Sequence, residues 1–249
     1  MSIGEVARVC NVSKSTVSKF VRGLGYEGYP EFKAAAYEYW MKERYLGEKS
    51  GRPDINITDF ICRYGETAYR DALLRDIASS FDSIDQGDVD AVAAALHDSD
   101  DVMAFGHGYS GTAAENLRVK MAFYRKVVLT ADTPRKQDEY IKQATGESVI
   151  VVFSNSGQFL SMYQEDEILV RKTLFDTCPA RVILITANAS AVHDPRVDLS
   201  IVLPQSGSVR NHPVLYQVVI ERISAAYQRA FGFPEGMIER DWMGGHPQV

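Results

Sequence analysis

Two short strings rich in glycine and serine carry the residues best suited to chemistry in this chain. The first is Gly106-His107-Gly108-Tyr109-Ser110-Gly111-Thr112, and the second is Ser154-Asn155-Ser156-Gly157-Gln158. Each follows an apolar run of strand character. A glycine-rich turn leaves backbone N–H groups bare, and a helix that starts there presents the positive end of its dipole. Serine and threonine hydroxyls add donors without charge. Such a set suits a phosphate together with a hydroxyl-bearing carbon chain such as a sugar. Neither string is a Walker loop, because no G-K-[ST] occurs in it. The first is near a dinucleotide fingerprint, but no acid clearly ends the second strand. The candidate ligand-binding residues are Gly108, Ser110, Ser154, Asn155, Ser156 and Gln158. Asn188 and the 206–212 segment are weaker candidates for the rim.

The elements that must position these turns alternate. Strand-like runs at Val102–Phe105, 127–130, Val149–Phe153, 182–186 and 199–203 are separated by helical stretches near 110–124, 135–145 and 159–175. Alternating strands and helices predict a doubly wound, five-stranded parallel sheet with helices on both faces. In such sheets ligands bind at the carboxyl ends of the strands, near the topological switch point. Before the sheet, Leu73, Leu74, Ile77 and Phe81, then Val89, Val92, Ala93 and Leu96, predict two amphipathic helices. After it, Pro213 opens a helix to about Phe231 whose apolar residues cover more than one face. Such a helix is buried or lies in a subunit interface, and a homodimer or higher homo-oligomer is expected. The stretch 234–249 receives no role.

The 249 residues carry 27 basic and 33 acidic side chains, a net of −6, so no global positive field draws the whole molecule to nucleic acid. The charge is uneven. Residues 1–50 hold 8 basic and 6 acidic side chains, a net of +2, which leaves −8 on the rest. A small basic head on an acidic body suggests two functions in one chain. The three cysteines, Cys10, Cys62 and Cys178, form no C-x-x-C pair, which suits a reducing cytoplasmic setting. No apolar run approaches a membrane span, and no membrane partner is expected.

The head reads as two short helices and a turn. Ser2 with Glu5 forms a capping box for a helix to about Val9. Cys10-Asn11-Val12 makes the break, and Ser13 caps a second helix to about Leu24, stopped by Gly25. Val17, Phe20, Val21 and Leu24 are expected to face inward. Ser13, Lys14, Ser15, Thr16, Ser18, Lys19 and Arg22 form the candidate DNA-binding set. Short donors near the helix start can reach base edges in a major groove, and the long cations can reach phosphates. A helical hairpin with a solvated face is the plainer alternative.

Val12-Ser13-Lys14-Ser15-Thr16-Val17-Ser18-Lys19-Phe20, followed by Gly25-Tyr26-Glu27-Gly28-Tyr29-Pro30-Glu31-Phe32-Lys33, resembles the head of the RpiR family of bacterial transcriptional regulators. The resemblance covers roughly residues 2–36 and implies double-stranded DNA as a partner. Tyr26, Tyr29 and Phe32 are expected to pack back on the two helices, and Pro30 suits the first turn of a third. Family heads carry one or two more helices before the position where this chain begins. The head is therefore short at its N-terminus, with an upstream start or a shortened, weaker-binding head as the alternatives. Over about 99–205 the chain is also similar to the sugar isomerase (SIS) domain, with its G-x-G-x-S turn and S-x-S-G-[EQ] turn. That resemblance implies that Ser110, Ser154 and Ser156 contact phosphate or sugar oxygens of a phosphorylated sugar effector, helped by Asn155 and Gln158. The family often has Thr where Phe159 stands, so one hydroxyl donor is absent here.

The expected organisation is a helix-turn-helix head at 1–46, a Gly/Pro-rich linker at 47–57 and an SIS-like body at 58–249. Glu139, Glu147, His107, His193 and His212 are candidate bases for an isomerase. None sits in a pattern that fixes it over the site, so catalysis is not expected. The histidines lack metal-ligand spacing, and neither a metal nor a cofactor is expected. A phosphosugar isomerase and a sugar-phosphate-binding protein that does not bind DNA remain the alternatives to a regulator.

Overall fold

The computed structural model describes residues 2–46, 57–165, 168–171, 173–204, 209 and 211–233. It divides into two compact units. One is built on the chain up to Asp76 with segments from 160–173 and 205–211, and the other on Ile77–Phe159, Leu174–Pro204 and the chain from His212 onward.

In the first unit the head contains α1 (Ile3–Val9), α2 (Lys14–Gly23) and α3 (Tyr29–Leu46). The capping box at Ser2 and Glu5 forms as expected, and Ser13 caps α2. Asn11 takes the positive φ of 52° that the break between them requires. Ala7, Val17 and Val21 form the small core, covered by Ile3, Val6, Tyr26, Tyr29 and Phe32. Tyr26 and Phe32 meet edge to face, with ring centroids 5.4 Å apart. One expectation is corrected. Phe20 and Leu24 do not face inward but are 61% and 51% exposed. Val17 and Val21 define the buried line, Phe20 lies well round the helix from it, and Leu24 is already the C-terminal cap residue. A core this small covers one narrow line only.

Helix α4 (Ile57–Ser83) is broken at Gly65, where φ is 85°. Ile57 thus belongs to a helix; the rest of the expected linker lies outside the described residues. Phe60, Ala72 and Val209 cluster with Ile57, Ala68 and Tyr69 in the first unit. The expected apolar stripe of α4 is also corrected, since Leu74 and Phe81 are exposed. The buried line runs instead through Ala72, Asp76 and Ser80. Asp76 accepts from Asn211 Nδ2 at 2.7 Å. The helix expected over 159–175 is not found. A 3-10 turn at Gln158–Leu160 leads to an antiparallel pair, β4 (Met162–Glu165) and β5 (Ile168–Arg171), and a second 3-10 turn follows at Leu174–Asp176. The apolar spacing fits a helix there, but Tyr163, Ile168 and Val170 favour a strand.

The second unit is the α/β layer. Strands β1 (Val102–Phe105), β2 (Val128–Thr130), β3 (Val149–Phe153), β6 (Arg181–Thr186) and β7 (Leu199–Val202) form a parallel sheet in the order β2-β1-β3-β6-β7. Helices α5 (Gln86–Asp98), α6 (Tyr109–Ala122) and α8 (His212–Phe231) cover one face. On that face the small Ala104 lies among Val102, Val151, Phe153, Ile183 and Ile185. The opposite face buries Met103, Phe105, Ile150, Val152 and Leu184. There α7 (Pro134–Gln143) lies alongside, with Tyr140 stacked near Phe105. The breadth of apolar surface on α8 is explained within the chain, because Leu215, Tyr216, Val219, Ile220, Ile223 and Ala226 all enter this core. Arg222 reaches from α8 to the Ser80 and Ile84 carbonyls, where the end of α4 needs donors. No helix among the described residues is long and apolar enough to cross a membrane.

Candidate functional site

The chain order of the sheet reverses between β1 and β3. From β1 the chain moves outward to β2, and from β3 it moves the other way to β6. The two strands are paired in parallel, with Phe105 opposite Val152, so both end at the same edge of the sheet. Both glycine- and serine-rich turns therefore emerge side by side at the switch point, where a doubly wound sheet opens a crevice.

The first turn is shaped by close packing. A Cβ at position 106 would stand 2.5 Å from the backbone carbon and oxygen of Ser110, so only glycine lets α6 start this close to the end of β1. Gly108 is the N-cap residue of α6 with φ 56° and ψ −127°, a region that side chains rarely enter. Gly106, Gly108 and Gly111 do stand at the spacing of a dinucleotide turn, a closer match than expected. The acid nearest to the end of β2, Asp132, is exposed and lies 3.9 Å from Lys136 Nζ. Ser110 is buried at the first turn of α6, and its Oγ is 3.3 Å from the Tyr216 hydroxyl. Burial pushes the Tyr216 phenol well above its ordinary value, so it remains a neutral hydroxyl.

The second turn is held from β6. The Ala187 N–H and the Thr186 hydroxyl both donate to the Asn155 carbonyl. Asn188 Nδ2 donates to the Ser156 carbonyl at 3.0 Å, so Asn188 pins the turn as well as standing beside it. Ser154 is buried, and its Oγ accepts from the Phe159 N–H at 3.3 Å. Ser156 and Gln158 are exposed and Asn155 is half-buried. Because Gln158–Leu160 is only a 3-10 turn, no α-helix begins here, and the dipole expected at this turn is reduced to that of α6 alone. The ring of Phe159 lies 5.0 Å from His107 and 6.2 Å from Phe175, so the position without the hydroxyl is filled by aromatic packing.

The candidate bases separate. His107 stays in the glycine turn. His212 opens α8 and faces the rings of Tyr109 and Tyr216, at 6.2 and 5.6 Å. Glu139 pairs with Arg135 on α7, and Glu147 lies before β3, at the far end of the sheet. His193 closes a 3-10 turn after β6. Among the described residues no group of His, Cys, Asp and Glu is arranged to hold a metal ion. Sequence reasoning missed Gln137, Thr186 and Tyr216. Their types carried no signal; only the fold brings α7, β6 and α8 to this edge. Of the 206–212 segment, only Val209, Asn211 and His212 fall among the described residues.

On the head, Ser13, Lys14, Ser15, Thr16, Lys19 and Arg22 are exposed and Ser18 is half-buried. Ser13 Oγ accepts from the Thr16 N–H and bonds the hydroxyls of Ser15 and Thr16 at 2.7 and 2.8 Å. The polar start of α2 is therefore a pre-ordered hydroxyl cluster, with Lys14, Lys19 and Arg22 along the same exposed helix.

These features define a chain with a helix-turn-helix head of regulator type and a body of the sugar isomerase fold. Residues 1–43 match the helix-turn-helix domain of the rpiR family. The chain is 23% identical over 161 residues, 63% of its length, to an uncharacterized HTH-type transcriptional regulator in the aarA 3' region of Providencia stuartii, and it spans about half, 54%, of that relative. Among solved structures, the Vibrio vulnificus NanR protein complexed with ManNAc-6P superposes with a TM-score of 0.53 at 14% identity, over 93% of this chain and 80% of that one. An Escherichia coli CFT073 protein in complex with arabinose 5-phosphate gives a TM-score of 0.52 at 19% identity, over 72% of this chain and 94% of that one.

Proposed function

We propose that this protein is a transcriptional regulator that binds double-stranded DNA through the head and senses a phosphorylated sugar through the body. The observation that carries the reading is the presence, in one chain, of an rpiR-type head and of two serine-bearing turns side by side at the switch point of a sugar isomerase fold. Structures that share this fold were solved with ManNAc-6P and with arabinose 5-phosphate. Gly108, Ser110 and the start of α6 would take the phosphate or its neighbouring oxygens, with Ser154, Asn155, Ser156 and Gln158 facing them. The protein acts as a homodimer or higher homo-oligomer in the cytoplasm. Two heads then meet two half-sites, and ligand shifts DNA affinity by binding one arrangement of the heads better than another.

The test is fluorescence anisotropy of the full chain on its own upstream DNA, with and without a panel of sugar phosphates. Specific binding that changes with one member of the panel is expected. Absence of a specific complex at moderate salt overturns the regulatory reading. A second reading, a phosphosugar isomerase, draws on His107 and His212 beside the glycine turn. Turnover of a ketose or aldose phosphate supports it, and tight binding without turnover rejects it.

A further inference from the structure

One buried polar atom at the switch point is not used by the fold. Gln137, on α7, is 1% exposed. Its Nε2 donates to the Gly106 carbonyl at 3.1 Å and to the Ala131 carbonyl at 2.9 Å. The first acceptor directly follows β1 and the second directly follows β2. These two bonds fix the orientation of the amide, because a reversed amide would set its oxygen against two carbonyl oxygens. Among the described residues Oε1 then has no hydrogen-bond partner. Buried side-chain oxygens of this kind are nearly always satisfied, so an unsatisfied one beside a crevice calls for an explanation.

Clipping two strand ends together needs only the donors of Gln137. The acceptor is left over, and it shares its carbon with Nε2, so it lies beside the Gly106 carbonyl where the glycine turn begins. An amide oxygen repels a phosphate oxygen and attracts an O–H. The start of α6 and the serine hydroxyls offer the opposite chemistry, donors for an anion. The two kinds of group would read the two ends of one ligand.

We infer that Gln137 is a specificity-determining residue whose Oε1 accepts a hydrogen bond from a hydroxyl on the carbon chain of the sugar ligand. The inference rests on the sugar-phosphate reading above and deepens it. Binding of the right sugar satisfies the amide oxygen, and a sugar lacking that hydroxyl leaves it buried and unpaired. Such a site rejects the deoxy compound more strongly than an apolar pocket would.

The experiment is calorimetric titration of the full chain with ManNAc-6P, arabinose 5-phosphate, glucose 6-phosphate, fructose 6-phosphate and inorganic phosphate, followed by the deoxy analogues of the tightest binder. Wild type and Gln137→Met are compared. One deoxy analogue is expected to bind wild type about 10-fold or more weakly than its parent. In Gln137→Met the parent and that analogue should bind alike, with affinity for inorganic phosphate unchanged. Equal weakening of the parent, every deoxy analogue and inorganic phosphate means a purely structural clip and overturns the inference. Wild type that binds none of the sugar phosphates overturns the underlying reading instead, and the assignment of Gln137 falls with it. If Gln137→Met does not fold, the wild-type side-chain amide resonance of Gln137 decides. It should move on saturation with the sugar phosphate and stay still with inorganic phosphate; no movement with either overturns the inference.

Discussion

The Ser110 hydroxyl and the Tyr216 hydroxyl lie 3.3 Å apart, which ties the glycine turn after β1 to the last helix of the sheet core. Tyr216 also meets Phe153 edge to face at 5.2 Å, and Phe153 is the residue just before Ser154. One fully buried phenol thus braces both turns of the candidate site from beneath.

Tyr216→Phe keeps the ring and its packing and removes only the hydroxyl. A loss of about 1 kcal/mol in unfolding free energy is expected, because Ser110 is buried and loses its partner. Sugar-phosphate affinity should fall as Ser110 turns more freely. Urea melts and calorimetric titration of the same variant check both.

Gly106→Ala should be among the most damaging single substitutions in the body. Its Cβ would press on the backbone of Ser110, which cannot swing aside as a side-chain tip can. Forced overpacking costs about 1–3 kcal/mol, and here it also displaces α6 from the turn. A lowered urea midpoint with abolished sugar-phosphate binding is the expected pair of results.

The two serines of the second turn should separate. Ser154→Ala removes the acceptor of a buried N–H at Phe159, so stability falls by about 1–3 kcal/mol along with ligand binding. Ser156 is exposed, and Ser156→Ala should leave the melting temperature nearly unchanged while removing the thermal shift produced by ligand. Equal melting temperatures for the two unliganded variants would contradict this.

Lys14 and Lys19 are exposed on α2, as side chains that reach phosphates must be. Replacing both with Ala should weaken DNA binding alike for specific and non-specific sequences. The slope of log affinity against log salt should become shallower by about 0.9 for each phosphate no longer neutralised. Anisotropy titrations over a range of salt concentrations measure it.

Arg196 holds the Asp194 carboxylate in a two-pronged pair, at 2.7 and 2.6 Å, and also reaches Asp176. The side-chain bonds to Arg196 hold the Asp194 carboxyl below its ordinary 3.8. A depressed carboxylate stabilises the fold at pH values above the unfolded value and loses that contribution as pH falls through the folded one. Stability of the wild type should therefore decline from about pH 4 downward more steeply than that of Asp194→Asn. Urea midpoints across about pH 2.5–7 provide the comparison, a range set by the ordinary carboxylate values of about 4.

Much of this molecule is local and so was readable in one dimension. The capping box at Ser2 and Glu5, the cap at Ser13 and the aromatic residues after Gly25 depend on neighbours within a few positions. The five strands are short apolar runs ended by glycine or polar turns, and their order of appearance predicts a parallel sheet. The 159–175 stretch misled because its apolar spacing fits a helix as well as a pair of strands. Phe20 and Leu24 misled for another reason. Helical spacing tells which residues share a face, but not how wide a neighbouring core is.

By itself, then, the sequence determined the kinds of element, the two glycine- and serine-rich turns and the polar, basic character of α2, since each is set by neighbours close along the chain. Only the tertiary structure decided what stands around those turns. Tyr216 arrives from α8, Thr186 and Asn188 from the end of β6, and Gln137 from α7. Those side chains are brought to one edge by strand pairing across the switch point, a long-range choice that no local spacing records.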